Sequence, residues 1–112
     1  MIRDLEHEQD FERLIQQSCQ APAFLLKHST RCPISRAALR ECERFHQEHP
    51  DVELWRVLVI ENKPLSTEIA RATGVMHQSP QLLLLSHGQV TWHVSHWAIT
   101  EKAMVDAYDS AA

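Results

Sequence analysis

Two short runs of uninterrupted apolar residues constrain this chain most: Ala23-Phe24-Leu25-Leu26 and Leu82-Leu83-Leu84-Leu85. Each falls far below the roughly 20 residues that span a bilayer. Runs of that length and character read as strands buried on both faces. The stretches around them supply helices as covers. Residues 4–19 place Leu5, Phe11, Leu14, Ile15 and Ser18 on one face, with acids and glutamines between. A second helix is expected from Pro33 to about His49, because proline suits a first helical turn and Pro50-Asp51 ends the pattern. Val52 to Ile60 reads as a strand. Asn62-Lys63-Pro64 reads as a turn, followed by a third helix capped by Ser66 or Thr67 and stopped by Gly74. After Ser79-Pro80, strand Gln81 to Leu85 turns through Ser86-His87-Gly88-Gln89 into strand Val90 to Ser95. Thr100 caps a last helix carrying Ala103, Met104, Ala107 and Tyr108 on one side.

The expected order is α-β-α-β-α-β-β-α. The early βαβ unit implies a parallel pair with a right-handed crossover, and the last two strands form an antiparallel hairpin. The result is an α/β sandwich in three layers, with a mixed four-stranded sheet between flanking helices. Residues 1–112 suit a single domain, with no linker or repeat. The net charge of −4, without a like-charge block, argues against nucleic acid as a partner. No membrane association is expected. The N-terminal residues have no apolar signal-like core, so a cytoplasmic location is expected. Nothing in the residues sets the oligomeric state.

Three cysteines, Cys19, Cys32 and Cys42, have no paired spacing that suggests a disulfide scaffold. Cys32 sits where a buried strand gives way to a helix. The helix N-terminus favours an anion, its free N–H groups can hydrogen-bond a thiolate, and adjacent Arg31 can add positive potential. These effects lower a thiol pKa and suit disulfide exchange. Ser35, one turn on, can donate to the thiolate and cannot resolve a mixed disulfide, so Cys-Pro-Ile-Ser is a one-thiol site. The competing reading makes Cys32 a buried structural thiol. Cys42 lies about 15 Å along the same helix, beyond disulfide reach, and shares a face with Ala38 and Phe45, as a core residue would. Cys19 ends the first helix, where a resolving role stays open.

Lys27-His28-Ser29-Thr30-Arg31 reads as a polar bend before the cysteine. His28 is a candidate thiolate stabiliser if cationic and proton carrier if neutral; the alternative is a strand-end histidine bonded to backbone. Lys27 and Arg31 could attract carboxylates of a small thiol, or simply be solvated. His46 and His49, and His93 and His96, are spaced by three. The latter pair falls on a strand, where that spacing points to opposite faces, so no metal site is expected.

The segment Phe24 to Ser35, with Cys32-Pro33-Ile34-Ser35, resembles the monothiol bacilliredoxins, thioredoxin-like proteins of the bacillithiol redox system. His77-Gln78-Ser79-Pro80-Gln81 and Trp92-His93-Val94-Ser95-His96-Trp97 with Ile99-Thr100 fit the same family. The resemblance implies a thioredoxin-like fold and a cytoplasmic role in redox homeostasis under oxidative stress. It implies exchange of bacillithiol between protein mixed disulfides and Cys32, with S-thiolated client proteins and a low-molecular-weight thiol as partners and no resident cofactor. It further implies a cis Ser79–Pro80 bond facing Cys32, with Ser79 offering backbone hydrogen bonds to substrate. The chain departs from ordinary thioredoxins in lacking a second active-site cysteine and in carrying Leu26 where those proteins hold a buried acid. An alternative function is a binding or redox-sensing module whose Cys32 is thiolated without turnover. The bland expectation for Trp97 is packing on the sheet, with His96 at the surface.

Overall fold

The two apolar runs pair with each other. In the computed structural model, which describes residues 2–111, the strands are β1 Arg3–Asp4, β2 Ala23–His28, β3 Glu53–Leu58, β4 Gln81–Ser86 and β5 Gln89–Ser95. The helices are α1 Glu8–Ser18, α2 Pro33–Glu48, α3 Lys63–Thr73 and α4 Glu101–Ala111, with a 3-10 turn at His96–Ala98. The strand order is β1-β3-β2-β4-β5; β3 runs parallel to both β1 and β2, and β4 runs antiparallel to β2 and β5. Ala23 faces Leu85 and Leu26 faces Leu82 across the central pair.

Alternation splits the runs between two cores. Ala23, Leu25, Leu83 and Leu85 join Phe11 and Leu14 of α1 with Leu65 and Ile69 of α3. Phe24, Leu26, Leu82 and Leu84 join Ala38, Cys42 and Phe45 of α2 with Met104 of α4. Both sheet faces are therefore covered, which is why these strands can be apolar throughout. Cys42 is in the core, as its helix face predicts. His87 and Gly88, at φ 53° and 76°, make the tight turn between β4 and β5. The Thr100 hydroxyl accepts from the Ala103 amide at 3.1 Å and caps α4.

The structure corrects four expectations. The sheet has five strands, because Arg3–Asp4 pairs with Trp55–Arg56 at the edge, where the Arg56 guanidinium bonds the Asp4 carboxylate at 2.8 Å. The first helix begins at Glu8 rather than residue 4, since the Asp10 carboxylate accepts from the Glu6 and His7 amides and fixes the helix start there. The expected polar bend loses its first two residues to β2: Lys27 and His28 continue the ladder opposite Val57 and Leu58. The third helix starts at Lys63, before Ser66 and Thr67, because Pro64 fits a first turn and the Asn62 carbonyl accepts from the Ser66 amide. Gly74 ends it in the left-handed conformation, φ 72°. No helix among the described residues is long and apolar enough to cross a membrane.

Candidate active site

β2 delivers the chain to the end of the sheet, and Ser29 organises the turn that follows. Its carbonyl accepts from the Cys32 amide at 3.4 Å, its hydroxyl accepts from the Arg31 amide at 3.3 Å, and its own amide donates to the Ser35 hydroxyl at 3.3 Å. This hub was not singled out from the sequence. Its signal is a serine between a strand and a helix start, where such side chains bond nearby backbone.

Cys32 is the N-cap of α2, half-buried, with extended backbone angles. Its carbonyl accepts from the Arg36 amide at 3.1 Å, closing the first turn. The thiol pKa is lowered, first by the Ser35 amide and then by the Ile34 amide and the Ser35 hydroxyl, all hydrogen-bonding the sulfur; partial burial opposes them. Ser35 itself is fully buried. The pull is thus local, from the free donors of a helix start. Arg31 is exposed, and its charge acts on the Glu61 carboxylate.

His28 is buried at the end of β2. Burial lowers its pKa first and the Arg56 charge second, while a hydrogen bond to the Ser35 main chain works the other way. The net direction is downward, which favours the neutral ring, and the ring bonds the main chain in the first turn of α2. Lys27 is fully buried rather than solvated, and its ammonium has no hydrogen-bond partner among the described residues.

The Ser79–Pro80 bond is cis. Its position is set by the β2–β4 register, with Gln81 opposite Lys27 at the Cys32 end of the sheet. The Pro80 carbonyl accepts from the His96 amide at 3.0 Å, and the Ser79 hydroxyl is buried with no partner among the described residues. His96 lies beyond β5, at φ 57°, and the tie to Pro80 accounts for its place in the chain. Trp97 corrects the packing expectation: it is 70% exposed. With Met76 and Ile60 it makes up the exposed large apolar side chains among the described residues. All three adjoin loops at this end: Trp97 follows His96, the Met76 carbonyl accepts from the Gln81 side chain, and Ile60 follows Val59, whose amide donates to the His28 carbonyl.

Cys19 is exposed at the far end of the sheet. Its neighbour Ser18 accepts from the His87 and Gly88 amides of the β4–β5 turn. The length of β2, about 16 Å at strand rise, separates that end from Cys32, so the two thiols of one chain do not meet in this fold.

Solved structures share this architecture. A thioredoxin-fold protein assigned as an oxidoreductase is 31% identical and superposes with a TM-score of 0.87, over 95% of this chain and 92% of its own. Fasciola hepatica thioredoxin is 19% identical with a TM-score of 0.79, over 99% and 100% of the two chains. Spinach chloroplast thioredoxin f, in its short form, is 18% identical with a TM-score of 0.77, over 98% and 92%. The latter two establish the fold alone. The model of the monothiol bacilliredoxin BrxC family matches residues 3–104, from β1 into α4 and across the one-cysteine helix start, and the chain belongs to that family.

Proposed function

We propose that the protein is a cytoplasmic monothiol exchanger that removes bacillithiol from client proteins through Cys32. The observation that carries this reading is Cys32 as the N-cap of α2, with its sulfur held by the Ser35 and Ile34 amides and a serine hydroxyl where a second thiol would stand. The Cys32 thiolate attacks the bacillithiol sulfur of a mixed disulfide. The Cys32–bacillithiol bond forms as the client–bacillithiol bond breaks, and the client sulfur leaves as a thiolate that takes a proton from water. A second low-molecular-weight thiolate then attacks the adduct, releasing Cys32 and a small-molecule disulfide. No resident cofactor is needed. The main chain beside cis Pro80 and the buried Ser79 hydroxyl offer polar contacts for the bound disulfide. Ile60, Met76 and Trp97 offer an apolar rim that suits a polypeptide better than a small thiol alone.

The test is to thiolate the reduced protein with oxidised bacillithiol, then offer a reduced model client, and in the reverse direction a bacillithiolated client, reading intact mass at each step. Transfer through one adduct on Cys32, absent in Cys32→Ser, is expected. An adduct that forms and never exchanges would point instead to a redox-sensing module. An unmodified Cys32 would refute the redox assignment.

A further inference from the structure

Between α3 and the loop before Pro80 lies a cleft of about 520 Å³, lined by Ile60, Lys63, Ser66, Thr67 and His77 among others. No acid lines it, and the first turn of α3 carries none. Ser66 is 2% exposed, and its hydroxyl has no partner among the described residues. Lys27 leaves β2 on the same side of the sheet, following Ala23 and Leu25 by alternation; its ammonium is fully buried, also without a partner, and its charge acts on His77. Buried Ser66 and the surface donors Lys63 and His77 therefore line one space, and the charge of Lys27 reaches His77 from the same side of the sheet. A buried hydroxyl and a buried ammonium each lose free energy when left unmatched, so their presence together marks a place where an acceptor is wanted.

Two connections tie the cleft's lining to the loops that flank Cys32. Glu61, next to Ile60, accepts from the Thr30 hydroxyl at 2.8 Å, and Thr30 is two residues before Cys32. His77 is two residues before Ser79. We propose that the cleft of Lys63, Ser66, Thr67 and His77, backed by Lys27, is a subsite for the carboxylate-bearing part of the low-molecular-weight thiol whose sulfur meets Cys32. The inference rests on the exchange reading above and specifies how the small thiol is held. Carboxylate oxygens accept from the Lys63 ammonium and the Ser66 and Thr67 hydroxyls, and the unpartnered charge of Lys27, which acts on His77, favours an anion beside them.

The test compares initial rates of Cys32 thiolation by oxidised bacillithiol, which carries carboxylates, and by 2-hydroxyethyl disulfide, which carries none. The readout is the ratio of the two rates, followed by intact mass. Lys63→Glu should lower that ratio about three- to tenfold, and Ser66→Ala about two- to threefold, the scale of one charged or polar contact. Lys102→Glu, on α4, makes the same change in net charge and should leave the ratio as it is. An unchanged ratio in Lys63→Glu and Ser66→Ala overturns the subsite while Cys32 remains reactive. An equal fall in Lys102→Glu overturns it in favour of general steering. Failure of the unaltered protein to react with either disulfide instead removes the exchange reading itself.

Discussion

Replacing Lys27 with methionine should stabilise the protein at neutral pH. The Lys27 side chain is fully buried in β2, its ammonium has no partner among the described residues, and burial lowers its pKa from 10.5 to about 8. At about 1.4 kcal/mol for each tenfold change in an acid constant, that drop corresponds to about 3 kcal/mol. Below pH 8 the amine is charged in both the folded and the unfolded chain, so the fold bears the whole penalty. Between about pH 8 and 10.5 the unfolded chain binds the proton more tightly, and stability rises with pH as the folded amine sheds its charge. Methionine has a similar length and no charge, and well-packed apolar replacements of buried charges are often stabilising. Lys27→Met should therefore gain up to about 3 kcal/mol at pH 7, or roughly 10 °C in Tm for a domain of this size. The gap between variant and unaltered protein should close as the pH rises through the window. Urea unfolding of both proteins at about pH 7, 9 and 10 measures it, and the difference cancels other groups that titrate there. A variant less stable at pH 7, or a gap that ignores pH, would refute the reasoning, because the ammonium would then be solvated or paired.

The other predictions concern the thiols and the loops that hold them. Ser35→Ala removes a hydroxyl donor to the sulfur and a partner of the Ser29 amide, so the pH midpoint of Cys32 alkylation should move up while stability falls by about 1 kcal/mol; an unmoved midpoint would leave the thiolate to the amides alone. Burial pushes the Cys42 thiol up to about 12, so a thiol reagent such as dithionitrobenzoate should count two thiols, Cys19 and Cys32, in native protein and the third only after denaturation. His96 sits in left-handed backbone, so His96→Gly should be tolerated, whereas His96→Val should lose about 1–3 kcal/mol in urea unfolding, as a β-branched residue does there. Thr100→Ala removes the α4 cap and should lose about 1 kcal/mol by the same measurement.

The elements that could be read without coordinates are those whose signal lies within a few residues. The apolar runs at 23–26 and 82–85, Pro33 after Cys32, Gly74 and Thr100 each act through local backbone geometry or a local hydrogen bond, and each lies where the sequence predicts. The parts that could not be read depend on distant partners. Arg3–Asp4 is a strand only because Trp55 and Arg56 lie alongside it. Lys27 and His28 look like loop residues until the backbone pairing with Val57 and Leu58 carries them into the sheet. Trp97 looks like a core residue until the 3-10 turn at His96–Ala98 directs it outward.

The same division runs through the site. Cys32 at a helix start, followed by a serine one turn later, is a local pattern, and the sequence alone placed this one-thiol motif at the start of α2. Which groups tune that thiol was decided by tertiary structure. Hydrogen bonds act over a few ångströms and burial depends on the whole fold, so the buried ring of His28, the exposed side chain of Arg31 and the hub at Ser29 exist only once β2, β3 and α2 are packed. The cleft beside α3 is the furthest case: Lys27, Lys63, Ser66 and His77 are spread over fifty residues, and only the strand alternation and the register of Gln81 against Lys27 bring them to one face.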